Sequence, residues 1–229
     1  MEMNRRAALA SGLAAGIAAI PGTAGAQTAP VPGFTPRPLP FDAATVPGLS
    51  AKLLTSHHDN NYAGAVKRLG AIKAEFAKVD PLTAPGFAIN GLKREELIAW
   101  NSMILHEIYF AGLGNAARPG SRLAQAIERD FGSQARWAAE FTGMGKALAG
   151  GSGWVLLTWS ERDQRLTNTW AADHTMTLAG GTPLLALDMY EHAYAIDYGA
   201  KAGDYVDAYM KVLNWDAASR RFERLAAPV

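Results

Sequence analysis

The chain has 229 residues, 49% of them hydrophobic and 19% charged, with no cysteine and a formal net charge of +1. That length suits one or two modest domains with a real core, and the lack of cysteine excludes a disulfide scaffold, a thiolate-ligated metal site and a cysteine nucleophile. Near-neutral charge argues against broad electrostatic capture of nucleic acid or an anionic membrane, which leaves metal and proton chemistry to Asp, Glu, Tyr and five histidines: His57, His58, His106, His174 and His192.

At the N-terminus, Arg5 and Arg6 precede an apolar run from Ala7 to Ile20. The run is shorter than the roughly 20 residues a bilayer span needs. Ala24-Gly25-Ala26 then offers a small-x-small cleavage site before Gln27. Residues 1–26 therefore read as an export signal and the mature protein as periplasmic. The paired arginines are compatible with the twin-arginine route, which carries folded proteins. Removal of that segment takes away Glu2, Arg5 and Arg6 and leaves 20 basic and 20 acidic residues.

From Gln27 to Phe41, Pro30, Pro32, Pro36, Pro38 and Pro40 deny the chain a helix or an inner strand. This stretch is expected to drape over the surface. Leu49 to Phe76 then carries Leu53, Leu54, Ala65, Val66, Leu69, Ile72 and Phe76 close to a 3.6-residue period, which predicts a helix. A second helix is predicted over Arg94 to Leu113, where apolar residues cover most of the circumference and imply burial on several sides. The stretch Ala116 to Gly120 is the best internal boundary. Ser121 is expected to cap a helix running to Asp130, and Ser133 one beginning at Gln134.

Beyond Gly150-Gly151-Ser152-Gly153 the pattern turns to strand. Trp154 to Trp159 is β-rich, Glu161–Gln164 is a polar turn, and Leu166–Trp170 is suited to complete a hairpin. Pro183 to Leu187, ending at Asp188, is a third strand candidate, and helices resume from Glu191 and at Tyr205–Leu213. The layout is α+β: an N-terminal α-helical hairpin domain (27–118), then a C-terminal α/β domain (119–229) with a small three-stranded antiparallel sheet.

Asp188 and His192 are four residues apart. If the chain turns helical at Asp188, carboxylate and imidazole share a face and can converge on one ion. Alone the spacing is common. His106 lies in the most apolar helix, where a metal is one way to satisfy its ring nitrogens and a backbone hydrogen bond is another. His57 and His58 offer a further nitrogen, or a solvated helix end.

The run DMYEHAY at 188–194 resembles the DVWEHAY signature of the iron/manganese superoxide dismutase family. The likeness continues through PLLALD at 183–188, IDY at 196–198, DYVDAY at 204–209 and NWD at 214–216. Upstream, IERDFGS at 127–133, GSGW at 151–154 and PLPFDAA at 38–44 resemble family segments in order and spacing, so the similarity covers about residues 35–225. It implies one Fe or Mn ion per subunit, held by a histidine from each of two N-terminal helices and by Asp188 and His192. His106 maps onto the second helical ligand, and a gap-free alignment of Ser50-Ala51 and Val66-x-x-Leu69 selects His57 over His58 for the first. Three imidazoles, one carboxylate and a solvent molecule suit Fe or Mn. The implied activity is conversion of superoxide to dioxygen and hydrogen peroxide.

The resemblance also implies a group hydrogen-bonded to the solvent molecule, which tunes the potential. Most members use glutamine; one branch's position is His174 here, and the other's is Ser102. Departures from the family lie around the site. The usual gateway tyrosine aligns with Ala65, the relay histidine with Asn61, and an arginine near the site with Ala202 beside Lys201. Tyr62 is read as a partial substitute in proton relay. Glu191 resembles the residue that reaches across a homodimer interface. These departures motivate an alternative reading, a metal-binding protein of this fold with weak or lost dismutation. A three-His, one-Asp zinc hydrolase is a third reading, for which no general base stands out.

Overall fold

The computed structural model describes residues 34–226. The export signal expected at 1–26 lies outside the described residues. Phe34–Phe41 forms neither helix nor strand, as its prolines require, and a 3-10 turn at Ala43–Thr45 follows, its Asp42 cap accepting from the Ala44 N–H. Helix α1 (Ala51–Ser56) is capped by Ser50, whose hydroxyl accepts from the Leu53 N–H at 3.1 Å. Helix α2 (Ala63–Phe76) completes the first predicted helix, but the two are joined by a π-helical segment over His57–Tyr62. Periodicity does not reveal that wider turn, because His57–Tyr62 carries no aliphatic residue whose spacing could mark it.

Helix α3 (Gly86–Ala111) starts eight residues before the predicted Arg94. Its first turns project into solvent, with Phe87 82% exposed, so no buried stripe marks them in the sequence. Burial meets the expectation only in the last turns, where Leu105, His106, Ile108, Tyr109 and Phe110 are all buried; Leu97 and Trp100 remain 45% and 41% exposed. α2 and α3 pack side by side as a hairpin. Helix α4 (Ser121–Phe131) corrects one expectation. Its N-cap is Gly120 rather than Ser121, and the Gly120 N–H donates to Ser219 Oγ at 2.9 Å. Helix α5 (Gln134–Ala147) is capped by Ser133 as predicted, the hydroxyl accepting from the Arg136 N–H.

The three-stranded sheet has the order β2-β1-β3, with β1 Trp154–Ser160, β2 Arg165–Ala171 and β3 Gly181–Asp188, antiparallel throughout. All seven residues of the central β1 are buried. A strand covered on both faces reads as a continuous apolar run rather than an alternation, as WVLLTW does. Helix α5 packs on β1, and α3 on β3. After β3 come a 3-10 turn at Glu191–Ala193, the short α6 (Ala195–Tyr198), α7 (Ala202–Lys211) and α8 (Asp216–Leu225). The last helix was not foreseen. Ala218, Ser219 and Phe222 are buried on it, and Ala218, Phe222 and Leu225 recur at helical spacing in an otherwise charged segment.

Asp130 ties α4 to the sheet. Its buried carboxylate accepts from Arg129 Nε and Nη2, both at 2.7 Å, and from the Leu166 N–H at 2.8 Å. Burial alone would raise its pKa, but these donors hold it below the usual carboxylate value. The stability so gained is present above the unfolded-chain pKa and is lost as pH falls through the lower folded one. Asp130→Asn is expected to cost about 1–2 kcal/mol at pH 7 and to flatten the stability loss between neutral pH and pH 3. Denaturant titrations at the two pH values would check it.

Candidate metal centre

Four side chains from distant parts of the chain meet in one buried spot. His57 comes from the π-helical segment, His106 from the buried last turns of α3, Asp188 from the last position of β3, and His192 from the 3-10 turn after it. One donor atom from each lies within 4.8 Å of the others. Asp188 Oδ2 is the focus: His57 Nε2 is 3.1 Å away, His192 Nε2 3.2 Å and His106 Nε2 3.6 Å. The His57, His106 and Asp188 side chains are almost wholly buried, and that of His192 is 26% exposed.

The pair Asp188–His192 comes together, though not on a helix. Asp188 ends a strand, its Oδ1 accepts from the Tyr190 N–H at 2.9 Å, and Tyr190 itself is extended. This side-chain turn folds His192 back toward Oδ2. Below the carboxylate, the Tyr205 hydroxyl donates to the Asp188 carbonyl and that of Tyr209 to the Ala186 carbonyl, so α7 anchors the strand end.

The donor set fits a cation. His106 Nδ1–H donates to the Ser102 carbonyl at 2.6 Å, which leaves Nε2 as a lone pair. That Nε2 is buried without a hydrogen-bond partner among the described residues, and it faces Asp188 Oδ2. A lone pair opposed to a carboxylate oxygen in a dry site is unfavourable for both, and a positive ion between them removes the conflict. Burial, aided by the neighbouring His57, pushes the His106 pKa down to about 3, and burial likewise lowers that of His57. Both rings are therefore neutral and able to ligate. Burial opposes ionisation of Asp188, but the facing His192 and His57 rings more than offset it, and its pKa lies well below the carboxylate range.

His174 lies against this cluster. Its ring centroid is 6.2 Å from that of His106, and it stacks on Tyr190 at 4.8 Å, which in turn stacks on His192 at 5.4 Å. Trp154 Nε1–H donates to His174 Nδ1 at 3.0 Å, so the ring proton sits on Nε2 as a free donor. Asn101 Nδ2 donates to the His174 carbonyl and pins the loop to α3. The hydrogen bonds of Trp154 and Asn101 to the His174 ring and backbone are not visible in the sequence, where Tyr190 stands only as a departure from the tryptophan of the family signature. For Trp154 the adjacent glycines, which let backbones approach closely, were the available signal.

The Tyr62 hydroxyl is engaged with the lead-in and α3. It accepts from the Arg37 N–H at 2.9 Å and donates to Glu107 Oε1 at 3.0 Å, with Arg37 Nη1 on Glu107 Oε2 at 2.9 Å. None of its hydrogen bonds goes to the four clustered residues. His58 contacts the Arg37 carbonyl through Nε2 and Asp59 through Nδ1. The proline-rich lead-in is thus pinned over the π-helical segment by Tyr62 and His58. Asn61 is partly exposed, while Ala65 and Ala202 are buried. Glu191 is exposed.

A model of the iron/manganese superoxide dismutases, C-terminal domain, matches residues 119–221. The chain is 64% identical over 186 residues to a superoxide dismutase [Fe] of Cupriavidus metallidurans, covering 81% of this chain and 94% of that protein. It is 34% identical over 193 residues to superoxide dismutase [Mn] 1 of Halobacterium salinarum, covering 82% and 94%. With a superoxide dismutase [Mn/Fe] of Propionibacterium freudenreichii subsp. shermanii the identity is 32% over 195 residues, covering 82% and 96%.

Proposed function

This chain belongs to the iron/manganese superoxide dismutase family, and we propose on that premise that it converts superoxide to dioxygen and hydrogen peroxide at one iron or manganese ion. The observation that carries the reading is the convergence of three imidazole Nε2 atoms on one buried oxygen of Asp188. His57, His106, Asp188 and His192 would hold the ion. Bound there, iron or manganese supplies a +3/+2 couple that accepts an electron from one superoxide and returns it to the next.

The rest of the chemistry belongs to the protein. Asp188 contributes the single negative charge that offsets the cation, and the neutral rings of His57 and His106 contribute none. Tyr109, Phe110 and Trp154 wall the site and exclude bulk water. Making hydrogen peroxide consumes two protons, so a donor must stand ready beside the site. A neutral imidazole does not itself give up that proton, and we assign to His174, whose Nε2–H is left free by the Trp154 hydrogen bond, the holding in place of the solvent molecule that would relay it. Tyr62 is read as a positioning residue, because its hydroxyl bridges Arg37 and Glu107.

His174→Ala is expected to shift the reduction potential of the metal-loaded protein and to lower turnover about 10–100-fold, the range for groups that act through a ligand shell. Redox titration with a superoxide-consumption assay reads both, and unchanged values would remove His174 from the mechanism. The 64% identity to an iron enzyme, against 34% to a manganese one, favours iron. Metal analysis of the purified protein beside the same assay tests the whole reading. Near one iron or manganese per chain with dismutation supports it; zinc without dismutation overturns it. A second reading, a metal-binding protein of weak turnover, is favoured by Asn61, Ala65 and Ala202, which lack the ionisable groups the family resemblance implies there.

We further propose export to the periplasm on the strength of the Arg5-Arg6 and Ala24-Gly25-Ala26 pattern. A homodimer is proposed as well, with the exposed Glu191 at its interface beside the ligand His192.

A further inference from the structure

Two of the four clustered donors arrive on neighbouring helical segments, His57 on the π-helical one and His106 on α3, and one residue of the lead-in reaches both segments. Arg37 is held at three points. Its N–H donates to the Tyr62 hydroxyl at 2.9 Å, its carbonyl accepts from His58 Nε2 at 2.8 Å, and its Nη1 lies 2.9 Å from Glu107 Oε2. The Tyr62 hydroxyl donates to Glu107 Oε1 at 3.0 Å, so both oxygens of that carboxylate are engaged. His58 directly follows the donor His57, and Glu107 directly follows the donor His106.

The π-helical segment has no side-chain cap of its own. From α3, the Phe110 ring packs against His57, His58 and Tyr62, with centroids 5.1, 5.6 and 6.2 Å away. Arg37 adds polar bonds near the start of the segment and at its end. The lead-in is seated on either side of Arg37: Phe34 stands edge-on to Trp100 of α3 at 6.1 Å, and Leu39 and Phe41 pack on the core. An exposed ion pair alone stabilises little, and the Arg37 side chain is 76% exposed. The Glu107 side chain is only 17% exposed, however, and Tyr62 is buried. A carboxylate so placed is costly once its donors are lost.

We propose that Arg37 and Glu107 form a clasp that fixes His57 relative to His106 and so sets how slowly the metal ion leaves. They are positioning residues, since their polar contacts go to each other, Tyr62 and His58 rather than to the four donors. The inference rests on the proposed metal centre. An ion held by several side chains leaves by losing them in turn, and the His57 segment gives way only when the lead-in lifts from it.

The test uses the full-length, iron-loaded protein, reduced and challenged with excess ferrous chelator, whose colour reports release. Glu107→Gln sets an amide NH2 against one of its two donors. It is expected to speed release about 10-fold, the lower end for groups that support ligands from outside. Arg37→Gln keeps both backbone bonds yet breaks the same contact. It should act similarly, and the double variant should release iron no faster than the faster single one. Asp130→Asn, which loosens α4 from the sheet without touching the clasp, should release iron at the wild-type rate. The visible band of the bound ferric ion, which reports ligand geometry, should move in Glu107→Gln and stay in Asp130→Asn. Wild-type release in Glu107→Gln overturns the proposal, as do equal acceleration in Asp130→Asn and single effects that multiply in the double variant. Should Glu107→Gln fail to fold, Arg37→Gln decides, and release at the wild-type rate overturns the clasp. A wild type that holds iron but consumes no superoxide removes the dismutase reading alone, and the release rates still judge the clasp.

Discussion

Asp188→Asn is expected to purify with little iron or manganese and to lose more than about 100-fold of its superoxide consumption, beyond the 10–100-fold typical when only a supporting group is removed. The substitution keeps the side chain's volume. Asn Oδ1 still accepts from the Tyr190 N–H, so the turn that presents His192 survives. What disappears is the one negative charge among the clustered donors, on which all three Nε2 atoms converge. Without metal, that carboxylate is a buried charge whose desolvation cost its partners must offset. Its partners more than offset that cost and hold its pKa low, so the metal-free Asn variant should melt somewhat lower than metal-free wild type at neutral pH, and the extra stability that metal confers on wild type should be absent from it. Metal analysis and paired melting curves with and without added metal read both effects. Full metal occupancy with near-normal turnover would defeat the assignment of Asp188 as a ligand.

The second large effect belongs to Gly153, immediately before Trp154. Its φ is +127°, and a Cβ there would stand 2.2 Å from the Ala171 carbonyl oxygen. No rotamer relieves a clash between two backbones, so β1 and β2 would have to part where they are most tightly apposed. Gly153→Ala should cost about 3 kcal/mol or more, roughly 6–12 °C in Tm for a chain of this size. Damage should reach the metal centre too. The Gly153 carbonyl accepts from the Met189 N–H at 2.9 Å, next to Asp188, and Trp154 supplies the hydrogen bond that orients His174. Gly150 is the matched control: its φ is +82°, but an added Cβ meets nothing within 4 Å. Gly150→Ala should cost only the local backbone strain, about 1–2 kcal/mol. Equal losses in the two variants would mean that backbone approach is not what glycine serves at position 153.

Much of the centre was legible before any coordinates. Asp188 and His192 stand four apart in a seven-residue block, and His106 is followed closely by aromatics that enclose it. The Ser133 cap and the unbroken apolar run of β1 were legible for the same reason: each is decided by atoms within a few residues. The spacing of Asp188 and His192 was right in effect and wrong in mechanism, because a side-chain-stabilised turn after a strand brings the two groups as close as a helix would. The π-helical segment at His57–Tyr62 escaped because no aliphatic residue marks it, whereas α8 had a legible stripe in Ala218, Phe222 and Leu225 at helical spacing that the sequence reading did not use.

By itself, then, the sequence determined the donor inventory, the order of helices and strands, and the family to which the chain belongs. These follow from residue type and local spacing. Only the tertiary structure decided that the five histidines have three kinds of surroundings: His57, His106 and His192 around one oxygen, His174 locked by Trp154, and His58 clasping the lead-in. It also turned the Tyr62 hydroxyl to Glu107 and set Arg68 against Glu95. Such pairings join residues dozens of positions apart, and the packing that chooses among them is a property of the whole core. A near-neutral composition likewise says nothing of where the charges sit.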